Sequence, residues 1–265
     1  MKKYLIPFIV TLVLLFQPRS AYAIESGPLA IYPTKVDPKN PISRSWFVYK
    51  VEAGESLKDE VTVENKSNAP LTVKIYAADA TTTAEGAFTL SPLKEGIALW
   101  LIPFETKITL PAKTQTAIPF NINVPIDAPT GDSVGAIVVE EVNAPAENPT
   151  GVTIVSRLGA RVYVTVAGET KEKLEILKLE KLKIGSENNS SLNLTIKNEG
   201  NVILRPEASV TVLGLFGARE LRLGNLGQVL AGKTVDQTLS LDKIPSGALW
   251  ASVKLNYGTT TRNPI

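Results

Sequence analysis

Acidic residues are the most evident candidates for chemistry in this sequence, because Glu140 and Glu141 are neighbours and Asp127 and Asp132 flank a glycine-containing turn. Two carboxylates hydrolyse a glycosidic bond when they face one cleft about 5–10 Å apart. Neighbouring residues of a β-strand point to opposite faces, so Glu140 and Glu141 do not fit that geometry. A calcium site needs several converging oxygen ligands, and a plain turn is the favoured interpretation of Asp127 and Asp132.

Histidine and cysteine are both missing from the sequence. Their absence removes Ser-His triads, thiol nucleophiles and the usual zinc ligands. It also means that the protein has no disulfides and is held together by its hydrophobic cores alone. We therefore predict that the protein is not an enzyme and has no catalytic residue, cofactor or metal ion.

Aromatic residues are the remaining candidates for binding. Trp46, Tyr49, Trp100 and Phe104 could stack on sugar rings or anchor a partner protein. Sandwich folds, however, commonly bury a tryptophan between their sheets. We expect Trp46 and Trp100 to lie in a core, and Trp250 likewise, so these residues predict no particular binding face.

The elements that would position these residues are short alternating runs. Residues 61–76 contain two such runs around a polar turn, and residues 192–212 repeat the arrangement. Alternation with a period of two is typical of half-buried strands, and we interpret each copy as a hairpin. One unit used twice predicts two domains of the same kind, at residues 24–168 and 169–265, with residues 168–173 as the linker.

Other segments support an all-β fold. Residues 118–124 alternate cleanly, and turn signals recur about every ten residues, as in β-sandwiches. We predict an edge strand near residues 29–32, a surface loop with a short strand at 77–88, two strands hinged near Gly159, and a strand at 174–184. The fold class is therefore two immunoglobulin-like β-sandwich domains in tandem.

The first 23 residues are predicted to be a signal peptide. Two lysines precede an apolar run at residues 5–16, and Ala-Tyr-Ala ends at Ala23. This run is too short to span a bilayer as a helix, and the pattern is typical of cleavage after Ala23. We expect an exported protein in the extracellular space or the cell envelope.

Charge gives no support for a nucleic-acid partner. Cleavage would remove three of the 28 basic residues and none of the 26 acidic residues, which leaves 25 basic residues and a net charge of −1. A nucleic-acid-binding protein would need a basic patch. Four Asn-x-Ser/Thr sequences would suggest glycans in a eukaryote, but the bacterial type of signal favours ordinary polar loop residues at Asn65, Asn188, Asn189 and Asn193.

Three motifs resemble those of a known family. Residues 63–73 resemble its strand–Asn–turn–strand signature, residues 124–137 its Pro–Gly–Gly segment, and residues 157–164 the strand that closes its first domain. The family is that of the bacterial WxL-interacting surface proteins, which have a proposed peptidoglycan-binding domain. The resemblance covers residues 28–168 well. It implies a tandem immunoglobulin-like envelope protein that contacts peptidoglycan, or a WxL-type surface protein, without catalysis.

The sequence departs from the family at its C-terminus. Members usually carry a C-terminal transmembrane helix, whereas no apolar run of membrane length follows the signal here. We expect either a protein that is released or held non-covalently, or an incomplete reading frame. Residues 110–114 superficially resemble a sortase signal, but they lie mid-chain inside a strand pattern.

A periplasmic pilus-type chaperone is the alternative function. Such chaperones are also secreted pairs of immunoglobulin-like domains, and residues 31–35 resemble their opening segment. A chaperone of this type donates a strand to an incomplete subunit fold. Residues 152–166 lack the long run of bulky alternating residues that strand donation requires, and we expect Val162, Val164 and Val166 to face the core.

Overall fold

The computed structural model describes residues 24–104, 106–142, 157–182, 189–215, 217–242 and 248–258, and most of these residues lie in β-strands. Two short 3-10 helices occur at Pro41–Arg44 and Ile97–Leu99. The strands are β1 (Ile24–Ser26), β2 (Leu29–Pro33), β3 (Trp46–Val51), β4 (Ser56–Asn65), β5 (Leu71–Thr82), β6 (Phe88–Leu90), β7 (Leu101–Pro103), β8 (Lys107–Leu110), β9 (Gln115–Asn123), β10 (Gly131–Glu141), β11 (Arg157–Val166), β12 (Leu174–Leu182), β13 (Asn189–Asn198), β14 (Glu207–Gly214), β15 (Gly217–Asn225), β16 (Thr234–Asp242) and β17 (Ala248–Asn256).

The first eleven strands form the N-terminal sandwich. One sheet has the order β1-β2-β4-β9-β7, and the other has the order β3-β11-β10-β5-β6, with β8 also paired to β5. Pairing is antiparallel except between β3 and β11. The alternation at residues 118–124 predicted a strand with one buried face, and this is confirmed. The residues of that face that are buried between the sheets are Ile118, Phe120, Ile122 and Val124.

The last six strands form the smaller C-terminal sandwich. Its sheets have the orders β12-β13-β16 and β15-β14-β17. Its core contains Leu194, Ile196, Val210 and Val235. The prediction of an all-β tandem of sandwiches is confirmed. The predicted signal peptide, residues 1–23, lies outside the described residues, and among those described no helix has the length and apolar character needed to cross a membrane.

The two repeated units are not hairpins, which corrects the sequence-based interpretation. Strands β4 and β5 lie in opposite sheets, as do β13 and β14. Each turn therefore carries the chain across the sandwich. Asn65 ends β4 and Asn198 ends β13, and both side chains are fully buried. Asn65 is thus not an ordinary polar loop residue.

Three further expectations about strands were wrong. Residues 77–82 continue β5, and Ala77, Ala78 and Ala80 are buried. Strand β2 is not an edge strand, since β1 and β4 flank it. Gly159 is not a hinge, because it pairs with Val138 inside the continuous strand β11. The strand predicted at residues 174–184 is confirmed as β12 over residues 174–182, and residues 183–184 lie outside the described residues.

Hydrogen bonds and an apolar cluster join the two sandwiches. The Nδ2 of Asn201 donates to the backbone oxygens of Thr130 (3.0 Å) and Glu169 (2.9 Å). The backbone nitrogen of Ile203 donates to Asp132 Oδ2 at 2.8 Å. Beside these bonds, Ala80 and Tyr163 of the N-terminal sandwich form one apolar cluster with Ile203 and Leu230 of the C-terminal sandwich.

Candidate functional site

A surface groove runs beside β3, the outer strand of its sheet. Its volume is about 310 Å³, which is within the usual range for small-ligand pockets. The segment that follows β2 forms one wall, and β3 forms the other. The lining residues are Pro33, Lys35, Val36, Asp37, Ser43, Trp46, Phe47, Val48, Tyr49 and Asp59.

Three polar side chains, those of Tyr49, Asp59 and Lys35, contact one another at one wall of the groove. The hydroxyl of Tyr49 donates to Asp59 Oδ2 at 2.7 Å. Lys35 Nζ lies 3.9 Å from the other oxygen of Asp59, and the Lys35 side chain is 69% exposed. Burial, and then the hydrogen bond to Asp59, raises the pKa of Tyr49 above the ordinary tyrosine value. The phenol therefore stays protonated and keeps its hydrogen bond to the carboxylate.

Trp46 forms the aromatic part of the groove. It is half-buried, and its ring centroid lies 5.7 Å from that of Tyr163. The guanidinium of Arg161 lies 5.3 Å from the Trp46 ring and 4.0 Å from the Phe88 ring. These contacts hold the indole in one orientation while part of it lines the groove.

The segment opposite β3 is held by its own hydrogen bonds. The hydroxyl of Ser43 accepts from the backbone nitrogen of Asp37 at 2.8 Å, and Asp37 Oδ1 accepts from the nitrogen of Lys39 at 2.8 Å. The groove thus contains two carboxylates, Asp37 and Asp59, both engaged as acceptors. An indole face beside fixed donors and acceptors is suited to binding a sugar ring or a peptide.

Two of the other acidic candidates, Glu140 and Asp132, have structural roles. Glu140 accepts a hydrogen bond of 2.6 Å from the hydroxyl of Tyr76. Asp132 accepts from Thr165 at 2.7 Å through one oxygen and from Ile203 through the other. Asp127 is exposed in its turn. Among the described residues, no cluster of three or more acids is placed to hold a metal ion.

The aromatic candidates divide into three groups. Trp100 is 6% exposed and belongs to the core, as predicted. Trp46 and Tyr49 line the groove, so Trp46 is only partly a core residue. Phe104 is 55% exposed, and Trp250 is 61% exposed. The core position predicted for Trp250 is wrong, because its strand directs it to the outer face beside its partner Leu213.

Comparison with known proteins finds a family model that matches part of the N-terminal sandwich. Residues 33–141 match the family model described as WxL Interacting Protein, peptidoglycan binding domain. The family resemblance is confirmed. The whole lining of the groove, from Pro33 to Asp59, lies inside the matched WxL-interacting range. The family is one of binding domains and not one of enzymes. A comparison with curated proteins finds no match.

Several solved structures are similar to this chain over most of its length. A chain from the chaperone–tip adhesin complex of CFA/I fimbriae is 16% identical, with a TM-score of 0.45, and the match covers 86% of this chain and 97% of that one. The class 5 fimbriae chaperone CfaA is 18% identical, with a TM-score of 0.40 and coverages of 87% and 93%. A chain of the CsuC–CsuE pre-assembly complex from Acinetobacter baumannii is 15% identical, with a TM-score of 0.41 and coverages of 78% and 94%. These low scores carry no argument about function.

Proposed function

We propose that this protein is a non-catalytic component of a bacterial cell envelope that binds peptidoglycan through the groove beside β3. The observation that carries the proposal is that this groove lies entirely within the range matching the peptidoglycan-binding domain of WxL-interacting proteins. Export through the predicted signal peptide would bring the groove to the cell wall. A WxL-type surface protein is a second partner of the same protein in this proposal.

The chemistry of the groove matches that of the polymer. Peptidoglycan consists of amino-sugar rings that carry short peptides with free carboxylates. Trp46 offers an aromatic face to a sugar ring. Lys35 is exposed and positive, so it can pair with a peptide carboxylate, and Asp59 can accept from a sugar hydroxyl or amide.

The burial of side chains on β11 argues against the chaperone alternative. Val162, Val164 and Val166 are all buried between the sheets of the N-terminal sandwich, as the sequence predicted. Residues committed to their own core are not available to complete the fold of another protein. Residues 151–156, which precede β11, lie outside the described part of the chain.

Retention on purified, insoluble peptidoglycan tests the proposal. The chain from Ile24 onward should be retained, and Trp46→Ala should weaken retention by about tenfold, because an aromatic anchor is lost. Lys35→Ala should weaken it by about threefold, as expected for an exposed charge. Trp250→Ala removes an equally large aromatic side chain from the other sandwich and should leave retention unchanged.

Controls separate loss of binding from loss of folding. Trp46 also packs on Tyr163, so thermal unfolding of Trp46→Ala must be measured alongside retention. Lys35→Ala does not need the thermal-unfolding control, since the Lys35 side chain is mostly solvent-exposed. Full retention of both groove variants would place binding elsewhere. Failure of the unaltered chain to bind peptidoglycan, together with co-purification of fimbrial subunits, would replace the proposal with the chaperone alternative.

A further inference from the structure

Strand β12 is an outer strand of the C-terminal sandwich with an unusually exposed surface. It pairs with β13 on one side and forms the end of its sheet on the other. Residues 175–180 are all exposed. Three of them are large and apolar, with Ile176 at 44%, Leu177 at 49% and Leu179 at 40% exposure. An exposed apolar edge strand is a template for pairing with another strand.

A β-bulge explains why apolar residues are uncovered here. The pairing of β12 with β13 shifts by one residue between Ile176 and Lys178. Ile176 lies opposite Ile196, and Leu179 lies opposite Leu194. Directly paired residues share a face of the sheet, and both β13 partners are fully buried. Ile176 and Leu179 therefore lie on the core side of the sheet at a flank that nothing in the described chain covers.

The charges of β12 are arranged symmetrically about Leu179. Lys178 and Glu180 flank it on the opposite face, and their side chains form an ion pair of 2.7 Å. When a second β12 runs antiparallel with Leu179 opposite Leu179, each Lys178 lies opposite a Glu180. Opposite charges at directly facing positions stabilise a strand pair. The strand is therefore complementary to itself.

We propose that two copies of this chain associate through β12, in antiparallel register centred on Leu179. The two three-stranded sheets then form one continuous sheet across a two-fold axis. Such an interface uses the same surface on both copies, as two-fold dimers do. It satisfies the free edge of β12, covers part of Leu179 and Ile176, and places every charge at 178 and 180 beside an opposite one.

Complementarity to itself is the reason for choosing a second copy over another occupant. A strand from an unrelated protein would need a negative, an apolar and a positive residue in succession to match residues 178–180. The chain already contains that order when β12 is read in the reverse direction. The groove beside β3 lies in the other sandwich and takes no part in this pairing.

Charge reversal tests the proposal directly. The chain from Ile24 onward should show a concentration-dependent dimer by sedimentation equilibrium. Lys178→Glu places four carboxylates together, and Glu180→Lys places four ammonium groups together, so each should raise the dimer dissociation constant by about tenfold. The double variant K178E/E180K exchanges the two charges and should restore the unaltered constant.

Mixing the two single variants gives the sharpest result. In the proposed register, the two acids of a K178E copy face the two bases of an E180K copy, so their equimolar mixture should form heterodimers with the affinity of the unaltered chain. Leu179→Lys should abolish association. Lys254→Glu changes the same charge on an exposed position of β17 and should have no effect.

Three outcomes would overturn the proposal. The first is an unaltered chain that stays monomeric over about a hundredfold range of concentration. The second is a mixture of the single variants that remains monomeric, which would assign the β12 edge to a different occupant. The third is a dimer insensitive to every β12 change but lost in Trp250→Ala, which would assign the contact to the outer face of β17. Because Lys178 and Glu180 are surface residues, neither reversal should affect folding or retention on peptidoglycan.

Discussion

The two turns that cross between sheets are built on the same asparagine arrangement. Nδ2 of Asn65 donates to the backbone oxygen of Ala69, four residues later, at 2.8 Å, and Nδ2 of Asn198 donates to that of Val202 at 2.8 Å. In each case Oδ1 accepts from the backbone nitrogen two residues later, at 2.9 Å. The side chain thus replaces the pairing that a hairpin would supply, and it directs the chain to the opposite sheet.

The two crossings differ in how firmly the asparagine is bonded. Asn65 also donates to the oxygens of Leu110 (3.1 Å) and Pro111 (3.0 Å) and accepts from the Ser67 hydroxyl at 2.7 Å. Asn198 has one further bond, to the oxygen of Val229 at 3.0 Å. Both crossings therefore share the two bonds within the turn, and the additional bonds tie each asparagine to a turn that is distant in sequence.

The largest expected effect is that of Asn65→Ala. The substitution removes the five hydrogen bonds of the Asn65 side chain, and each such bond contributes about 1 kcal/mol. The oxygens of Ala69 and Pro111 keep a second donor, the hydroxyls of Ser67 and Thr114. We expect the free energy of unfolding to fall by about 4 kcal/mol, as measured by urea denaturation. Asn193→Ala, within β13, is the matched control and should change it by less than about 0.5 kcal/mol. Equal values for the two variants would contradict the structural role of Asn65.

Asn198→Ala should have a smaller effect than Asn65→Ala. It removes three side-chain hydrogen bonds, to the oxygens of Val202 and Val229 and from the nitrogen of Gly200, while Val229 keeps the nitrogen of Leu204 as a donor. We therefore expect a loss of about 2–3 kcal/mol by the same measurement. The order of the two losses is the decisive result. A larger loss at Asn198 would show that the number of bonds does not determine the strength of the crossing.

A third test concerns the two distant turns whose backbone oxygens accept hydrogen bonds from Asn65 and Asn198. Lys113 has φ 58°, and Gly232 holds the corresponding position at φ 70°. A Cβ at Gly232 would meet no atom within 4 Å. The cost of Gly232→Ala is therefore purely conformational, about 1 kcal/mol. Lys113→Gly is the reciprocal change and should not destabilise by more than the loss of its exposed bond to Lys66. Chemical denaturation of both variants checks the pair.

The smallest effect concerns acid stability. A hydrogen bond from Lys173, together with its charge, lowers the pKa of Glu199 to about 2 from 4.5. Because the folded value is the lower one, the resulting stabilisation is present above pH 4.5 and is lost as the pH falls from 4.5 towards 2. Glu199→Gln should therefore reduce the acid dependence of the Tm in that window. The corresponding residue after Asn65 is Lys66, and Lys66→Gln should leave that dependence intact.

Period-two alternation was sufficient to predict the strands but not their partners. Ile118, Phe120 and Ile122 alternate and are fully buried. A polar turn between two strands, however, is compatible both with a hairpin and with a crossing. The choice is made by Asn65 bonding to a turn 45 residues away, which no local pattern contains. The burial of Ala77, Ala78 and Ala80 was missed because alanine is only weakly apolar.

The groove was predictable only in part. Trp46 and Tyr49 were candidates because aromatic side chains bind sugars and proteins. Asp59 gave no local signal, since it reaches the groove from the other sheet and meets Tyr49 only in the folded protein. Lys35 gave none either, because it meets Asp59 only there. Trp250 was misassigned because alternation fixes which residues share a face, and the register of β17 on β14 decides which face is outward.

The backbone contacts of the segment between the sandwiches determine how well proteases can cleave it. The oxygens of Glu169 and Lys171 accept from Asn201, and the nitrogen of Lys171 donates to Asn201 Oδ1 at 2.7 Å. A protease must bind an extended stretch of free backbone in its cleft. The backbone of this exposed segment is instead hydrogen-bonded to Asn201 at both Glu169 and Lys171. Digestion should therefore spare the junction and yield one large fragment that contains both sandwiches.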